Sequence, residues 1–164
     1  MNTLFLFMKT LTFGLVLTVM SFSCIADNKA TLEKNKVEKG SIDKVLNSFH
    51  QAAADAQAKP YFDLLSQDAI FLGTDATERW TKEEFKSFVL PYFSKGAGWL
   101  YTPQKRHISL VKQGQVAFFD ELLFSDTYGT CRGSGVLIKT DFGWKISQYN
   151  LSIPMPNGLA KALV

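Results

Sequence analysis

The second half of the chain consists almost entirely of candidate β-strands, and this pattern limits the possible folds more than any other feature. After Gly98, apolar or alternating runs span residues 99–111, 116–124, 132–140 and 144–153. The segment Asp141-Phe142-Gly143 between the last two runs is typical of a tight hairpin turn. Strands joined in this way form an antiparallel meander, which must bury one of its faces against another layer.

The first half of the chain supplies helices that fit this second layer. From Ser41 to Lys59-Pro60, apolar residues recur every three or four positions and predict an amphipathic helix: Ile42, Val45, Leu46, Phe49, Ala53 and Ala56. Thr81 and Glu84 have the capping-box spacing and predict the start of another helix. Helices followed by long strands indicate an α+β fold, with helices packed on one face of an antiparallel sheet.

Residues 1–26 have the organisation of a secretory signal peptide. A single charge, Lys9, precedes an apolar run and then small residues up to Ala26. The apolar run of about 12 residues is too short to span a bilayer. Cleavage after Ala26 is favoured, and cleavage after Ser23, which would leave Cys24 for lipidation, is the second alternative. We therefore expect an exported protein, periplasmic or secreted, with no stable membrane span after processing.

The remaining chain divides into a flexible lead-in and one domain. Residues 27–40 are rich in lysine and poor in large apolar side chains, whereas residues 41–164 have the length of a single domain. The net charge of the whole chain is only +3, which argues against a dedicated nucleic-acid binder. Cleavage after Ala26 would leave Cys131 as the only cysteine, so an intrachain disulfide is not expected.

Several short segments between residues 41 and 157 together resemble a known family. These segments are Phe49-His50, Phe71-Leu72-Gly73-Thr74-Asp75, Gly98-Trp99-Leu100-Tyr101, Phe119-Asp120-Glu121, Arg132-Gly133-Ser134-Gly135-Val136 and Gly143-Trp144-Lys145-Ile146. In order and spacing they resemble the SnoaL-like group of the nuclear transport factor 2-like superfamily. The resemblance implies a cone-shaped, strongly curved antiparallel sheet wrapped around N-terminal helices, a pocket at the open end, and often a homodimer. That superfamily includes isomerases, cyclases, dehydratases and non-catalytic domains, so the fold does not select a function.

Two acidic residues and one histidine are the candidate catalytic groups. Asp120 and Glu121 interrupt an apolar strand, and adjacent strand residues face opposite ways, so one carboxylate must point inward. Burial would raise its pKa unless a cation is near, and Arg132 is the obvious candidate cation. Either the inward carboxylate transfers protons, or it is a structural partner of Arg132. His50, at the border of the first helix's apolar face, is either a base or a structural residue.

Aromatic and polar residues on the strands are the candidate ligand-binding groups. An aromatic wall for a planar ligand is expected from Trp80, Trp99, Tyr101 and Trp144, although core packing explains the same residues. In the last strand, one alternating set runs from Trp144 through Ile146 to Gln148 and Asn150. This set would lead from the core to the pocket mouth. A histidine often stands at the position of Asn150 in the resembled family, and asparagine cannot act as a base.

No metal or cofactor is expected from the sequence. His107 is the only other histidine, no close spacing of ligating residues is found, and phosphate loops and dinucleotide fingerprints are lacking. The leading hypothesis is an exported, cofactor-independent, homodimeric domain that binds a small apolar or aromatic molecule. One alternative is an isomerase, cyclase or dehydratase that uses Asp120 or Glu121 with His50. Another is a non-catalytic protein-assembly module.

Overall fold

Four helices and six strands make up the described part of the chain. The computed structural model describes the backbone of residues 3–111 and 114–162, with side chains from residue 29 onward in those ranges. The helices are α1 (Thr3–Ala54), α2 (Ala58–Asp63), α3 (Lys82–Phe93) and α4 (Asn157–Ala160). The strands are β1 (Leu65–Leu72), β2 (Arg79–Thr81), β3 (Thr102–Val111), β4 (Val116–Ser125), β5 (Gly129–Thr140) and β6 (Gly143–Ser152). Among the residues whose side chains are described, from residue 29 onward, no helix has the length and apolar character needed to cross a membrane.

The chain divides into two compact units, Met1–Val37 and Glu38–Val164, and the six strands described above all lie in the second. The side chains of the predicted signal peptide, residues 1–26, lie outside the described residues. Residues 27–40, predicted as a flexible lead-in, belong to helix α1. The expected helix start at Ser41 is therefore wrong. The lysines and glutamates of this segment are good helix formers, so they extend the amphipathic helix toward the N-terminus.

The six strands form one curved, open sheet in the order β2-β1-β6-β5-β4-β3. All neighbours pair antiparallel except β1 and β6, which run parallel. The predicted α+β class, with a strongly curved sheet and N-terminal helices, is confirmed. The capping box that predicts α3 is also present, since the Thr81 side chain accepts from the Glu84 backbone N–H and the Glu84 side chain bonds back to the Thr81 N–H.

The hydrophobic core lies between the helices and one face of the sheet. Ile42 and Leu46 of α1 and Val89 of α3 are fully buried in it. Along β4 the burial alternates strictly, with Ala117, Phe119, Glu121, Leu123 and Ser125 buried and the intervening residues less so. The buried face of β4 thus brings one acidic side chain into an otherwise apolar layer.

A bulge in β6 reverses which residues of this strand face the core. Leu137 of β5 pairs with Ile146, but its neighbour Val136 pairs with Gln148, so Ser147 is an extra residue. Before the bulge Trp144 and Ile146 are buried, and beyond it Tyr149 and Leu151 are buried. The expected inward set that continues to Gln148 and Asn150 is therefore wrong, because the extra residue shifts the alternation by one.

Gly135 makes the bulge possible. A Cβ at this position would lie 2.0 Å from the Gln148 carbonyl oxygen. We predict that Gly135→Ala lowers the free energy of unfolding by about 2 to 3 kcal/mol, because the clashing atom belongs to the backbone and cannot rotate away. Gly40→Ala is the control. A Cβ there meets no atom within 4 Å, and alanine is the better helix former. Denaturant unfolding measures both variants, and equal stabilities would contradict the prediction.

Candidate functional site

The pairing of β3 with β4 places two ion pairs on opposite faces of the sheet. Arg106 lies directly across from Glu121, and His107 lies directly across from Asp120. Glu121 is 1% exposed, whereas the Asp120 side chain is 59% exposed and contacts His107 at 3.0 Å. Of the two adjacent carboxylates, Glu121 is therefore the inward one.

Both oxygens of the Glu121 carboxylate are engaged by side chains from three different elements. His50 of α1 bonds Oε1 through Nε2 at 2.7 Å, and the Tyr149 hydroxyl of β6 donates to the same oxygen at 3.1 Å. Arg106 donates from Nε to Oε2 at 2.7 Å, and its Nη2 lies 2.6 Å from Oε2 without the alignment of a second hydrogen bond. Gly133 leaves room for this cluster, since a Cβ there would lie 2.4 Å from the Tyr149 hydroxyl oxygen.

Arg106 extends the cluster to the protein surface. Its Nη1 donates to the Asp43 carboxylate at 2.6 Å and to the Asn47 side-chain oxygen at 2.8 Å. The Arg106 side chain is 7% exposed, whereas that of Asp43 is 49% exposed. Helix α1 therefore supplies three members of the network, Asp43, Asn47 and His50, which lie one turn apart on one helix face.

Burial and the surrounding charges oppose each other in setting the pKa of Glu121. Burial raises this pKa, but hydrogen bonds and charge from His50 and Arg106 outweigh it and hold the pKa below the ordinary value of a glutamate. Glu121 is therefore a carboxylate. Burial, and secondarily the nearby charge of Glu121, raises the pKa of Tyr149 well above its ordinary value, so Tyr149 remains a hydrogen-bond donor.

A pocket of about 320 Å³ opens beside this cluster, and we call it the aromatic pocket. Its lining consists mainly of aromatic side chains, and is made of Phe71, Gly73, Thr74, Glu78, Trp80, Phe85, Phe88, Tyr92, Trp99, Tyr101, Tyr128 and Leu151. The rings of Phe71 and Phe85 stack with centroids 3.8 Å apart, and those of Trp80 and Phe88 with centroids 5.0 Å apart. Such stacked walls favour a flat, apolar guest.

His50 lies between the aromatic pocket and a second opening. A void of about 20 Å³ is bounded by His50 and Tyr149 together with Phe71, Trp99 and Tyr101, which also line the aromatic pocket. This void is large enough for about one water molecule. On another side, His50 lines a cleft of about 270 Å³ formed with residues of α1 and of the segment leading into β3. The small void therefore separates the His50 imidazole from the aromatic pocket.

The structure separates the predicted site residues into two groups. Trp80, Trp99 and Tyr101 line the aromatic pocket, and His50 and Glu121 form the buried cluster beside it. The remaining candidates lie elsewhere: Asp120, Arg132, Trp144, Gln148 and Asn150 are not part of the aromatic pocket's lining. The binding role of the first group and the catalytic role of the second stay predictions.

Arg132 does not neutralise the inward carboxylate. It is exposed, and β5 places it opposite Leu122 on the face away from Glu121. Arg106 takes that place because β3 lies on the other side of β4. Tyr149 and Glu78 are also absent from the predicted site residues. The bulge in β6 turns Tyr149 inward, and Glu78 lies in an irregular turn. Arg106 precedes Glu121 by 15 residues, and the register of β3 against β4 is what brings the two side chains together.

The Trp144 indole of β6 does not line the aromatic pocket but forms a hydrogen bond with α1. Its Nε1 donates to the Glu38 carboxylate at 2.8 Å, and Lys139 pairs with the same carboxylate. Gln148 lines a separate cavity of about 360 Å³ with residues of β1, β2 and β5, and Asn150 lies beside Leu72 of β1.

Among residues 29–111 and 114–162, no cluster of three His, Cys, Asp or Glu side chains is arranged to hold a metal ion.

A curved, open sheet packed against helices places the chain in the class of conical α+β folds. The sequence from residue 42 to residue 156 matches the model of the SnoaL-like domain, so the chain belongs to this family. The family predicted from the sequence motifs is thereby confirmed. No curated protein matches the chain.

Solved structures show the same fold at low sequence identity. An NTF2-like protein with a cystatin-like fold from Novosphingobium aromaticivorans is 12% identical, with a TM-score of 0.62 over 84% of this chain and 95% of its own. A candidate dehydratase of the NTF2-like family from Streptomyces avermitilis is 11% identical, with a TM-score of 0.65 over 74% and 99% of the two chains. A candidate scytalone dehydratase from N. aromaticivorans is 13% identical, with a TM-score of 0.64 over 76% and 89%.

Proposed function

We propose that this protein binds a small, planar, partly apolar molecule in the aromatic pocket. The observation that supports the proposal most directly is the lining, in which aromatic rings predominate and a few polar groups are available for orientation. The volume of about 320 Å³ accommodates a molecule of one or two fused rings. The Trp80 and Phe88 rings form a stacked pair along this lining, and Phe88 is 43% exposed, so a ligand is able to enter beside it.

Replacing Phe88 tests this proposal. We predict that Phe88→Ala weakens the binding of 2-naphthalenemethanol about tenfold, because one stacking partner of the guest is lost. Phe142→Ala is the matched control, since Phe142 is 91% exposed on the turn between β5 and β6 and does not line the pocket. Isothermal titration calorimetry measures both affinities. Equal affinities for the two variants, or no binding to the unaltered protein, would refute the proposal.

Export and dimerisation belong to the same proposal but depend on different observations. The order of charge, apolar run and small residues in residues 1–26 supports export, with release into the periplasm or medium after cleavage. A homodimer is supported by the family resemblance alone. Native mass spectrometry of the exported protein reports the cleavage site, lipidation at Cys24 and the number of subunits.

A second candidate function is proton transfer without a cofactor, as in an isomerase, cyclase or dehydratase. The specific observation in its favour is the 2.7 Å contact between His50 and Glu121 beside the aromatic pocket. Two of the structural neighbours are candidate dehydratases, and a third is a candidate aromatic ring hydroxylase. These neighbours share the fold of this chain, and their candidate activities support a test for catalysis in the pocket.

In this second function the base would be His50 rather than Glu121. The Glu121 side chain is fully buried and its two oxygens are occupied by His50, Tyr149 and Arg106. When Nε2 carries the proton toward Glu121, Nδ1 of the imidazole has the lone pair needed to accept a proton. The carboxylate would orient the ring and stabilise its positive charge after transfer. Loss of turnover in a His50 variant that still binds ligand is the decisive test.

A further inference from the structure

The aromatic pocket has an uneven charge distribution. Of the described residues that line it, eight are aromatic, and the single charged side chain is the carboxylate of Glu78. Lysine, arginine and histidine do not contribute to this lining. The faces of Phe71, Phe85 and Trp80 stack on neighbouring rings, so the formal charge on the lining comes from the carboxylate. The charge that the described lining presents to a ligand is therefore negative.

The turn between β1 and β2 holds Glu78 against the pocket wall. The Gly73 backbone N–H donates to the Glu78 carbonyl oxygen at 2.8 Å, which closes the turn. A Cβ at Gly73 would lie 2.2 Å from Glu78 Oε2, so the carboxylate occupies the space that a side chain at position 73 would need. Glycine at this position thus allows the acidic group to lie over the lining instead of turning away.

The Glu78 carboxylate retains unused capacity to accept hydrogen bonds. Its Oε2 accepts one bond, from the backbone N–H of Asp75 at 3.1 Å. A carboxylate has about four acceptor sites, and a neutral N–H does not cancel its charge. A ligand with an ammonium group would supply both the missing donors and the missing positive charge. An anionic ligand would be repelled by the same arrangement.

We propose that the aromatic pocket selects organic cations, namely planar aromatic molecules that carry an ammonium group positioned toward Glu78. This inference rests on the proposed binding function and specifies its ligand class. The aromatic lining holds the ring system of the ligand, and the partly buried position of Glu78 strengthens the ion pair with its ammonium group relative to one in open water. A neutral molecule of the same shape gains only the stacking contribution.

Three probes with the same ring system test the inference: 2-naphthylmethylammonium, neutral 2-naphthalenemethanol and anionic 2-naphthoate. We expect the ammonium to bind about tenfold more tightly than the alcohol, and the carboxylate to bind most weakly. Glu78→Gln should reduce the affinity for the ammonium about tenfold and leave the affinity for the alcohol unchanged. Glutamine keeps the shape and an acceptor oxygen for the Asp75 N–H, so the turn is preserved.

Glu83→Gln is the control for net charge. Glu83 is exposed in the first turn of α3, close in sequence to Phe85, and it does not line the pocket. The Glu83→Gln substitution should leave the rank order and the values of the three affinities unchanged. If the alcohol binds as tightly as the ammonium, or if both glutamate variants have the same effect, the selectivity for cations is refuted while the binding function stands. If none of the three probes binds, both proposals fail.

Discussion

Arg106→Leu is expected to lower the free energy of unfolding at pH 7 by about 3 to 5 kcal/mol, because it leaves the Glu121 carboxylate buried without its guanidinium partner. The Glu121 side chain has no solvent exposure, and Arg106 contacts both Glu121 and α1. Water is therefore unable to replace the lost interaction. Chemical denaturation with the two-state extrapolation measures the difference.

The matched control is Lys105→Leu. Lys105 is the neighbouring cation on the same strand, but it is exposed. Removing its charge should change stability by less than about 0.5 kcal/mol. The double variant Arg106→Leu/Glu121→Leu should recover part of the loss, since replacing a buried ion pair by apolar groups is often neutral. A loss below about 1 kcal/mol for Arg106→Leu would show that Glu121 is solvated rather than buried in its network.

The effect of Arg106→Leu should also depend on pH. The folded-state pKa of Glu121 is held below its unfolded value, so this group stabilises the fold above the ordinary pKa of a glutamate. That contribution is lost as the pH falls through the folded-state pKa. Removing Arg106 raises the folded-state pKa of Glu121. The buried carboxylate of the variant therefore becomes protonated, and loses its charge, at a higher pH than in the unaltered protein. The stability difference between the two proteins should therefore shrink as the pH falls from 7 toward 4.

His50→Gln is expected to reduce proton-transfer activity at least about 100-fold, if the cluster is catalytic. A suitable reaction is deuterium exchange next to the carbonyl of 2-tetralone, a bicyclic ketone of the size that the aromatic pocket accepts, followed by NMR. The unaltered protein should accelerate exchange over buffer. Glutamine can still donate to Glu121, so the carboxylate keeps a partner at this position.

Binding measurements on the same variants separate catalysis from structural damage. His50→Gln should still bind 2-naphthalenemethanol, because His50 does not line the aromatic pocket itself. His107→Gln is the control, since that side chain is 58% exposed and pairs with Asp120 on the other sheet face. If His50→Gln retains the exchange rate, His50 is not the base. If the unaltered protein fails to accelerate exchange, binding without catalysis remains as the supported function.

The repeated patterns in the sequence were sufficient to predict the class of the fold. The three- to four-residue spacing of apolar residues identified the part of α1 that packs against the sheet, and the period of two identified the long strands. The same period required one of Asp120 and Glu121 to point inward. It did not say which, because that choice depends on whether the even or the odd residues of β4 face the helices.

The composition of the pocket was only partly predictable. Trp80, Trp99 and Tyr101 were expected there and line it, but Trp144 lies instead against Glu38. The rings of α3 that complete the lining, Phe85, Phe88 and Tyr92, have the spacing of an ordinary apolar helix stripe. Nothing local distinguishes a ring that packs in the core from one that borders a cavity, because the difference depends on what lies opposite.

The local sequence determined the secondary structure. The site instead depends on the register between strands and on contacts between segments that are distant in the chain. His50 and Glu121 are 71 residues apart in the chain and meet only because α1 packs across β4. Arg106, and not the predicted Arg132, is the partner of Glu121 because of the β3–β4 register. Tyr149, and not the predicted Gln148, faces inward because of one extra residue in β6. Each of these contacts depends on the relative placement of two elements, and local periodicity carries no information about that placement.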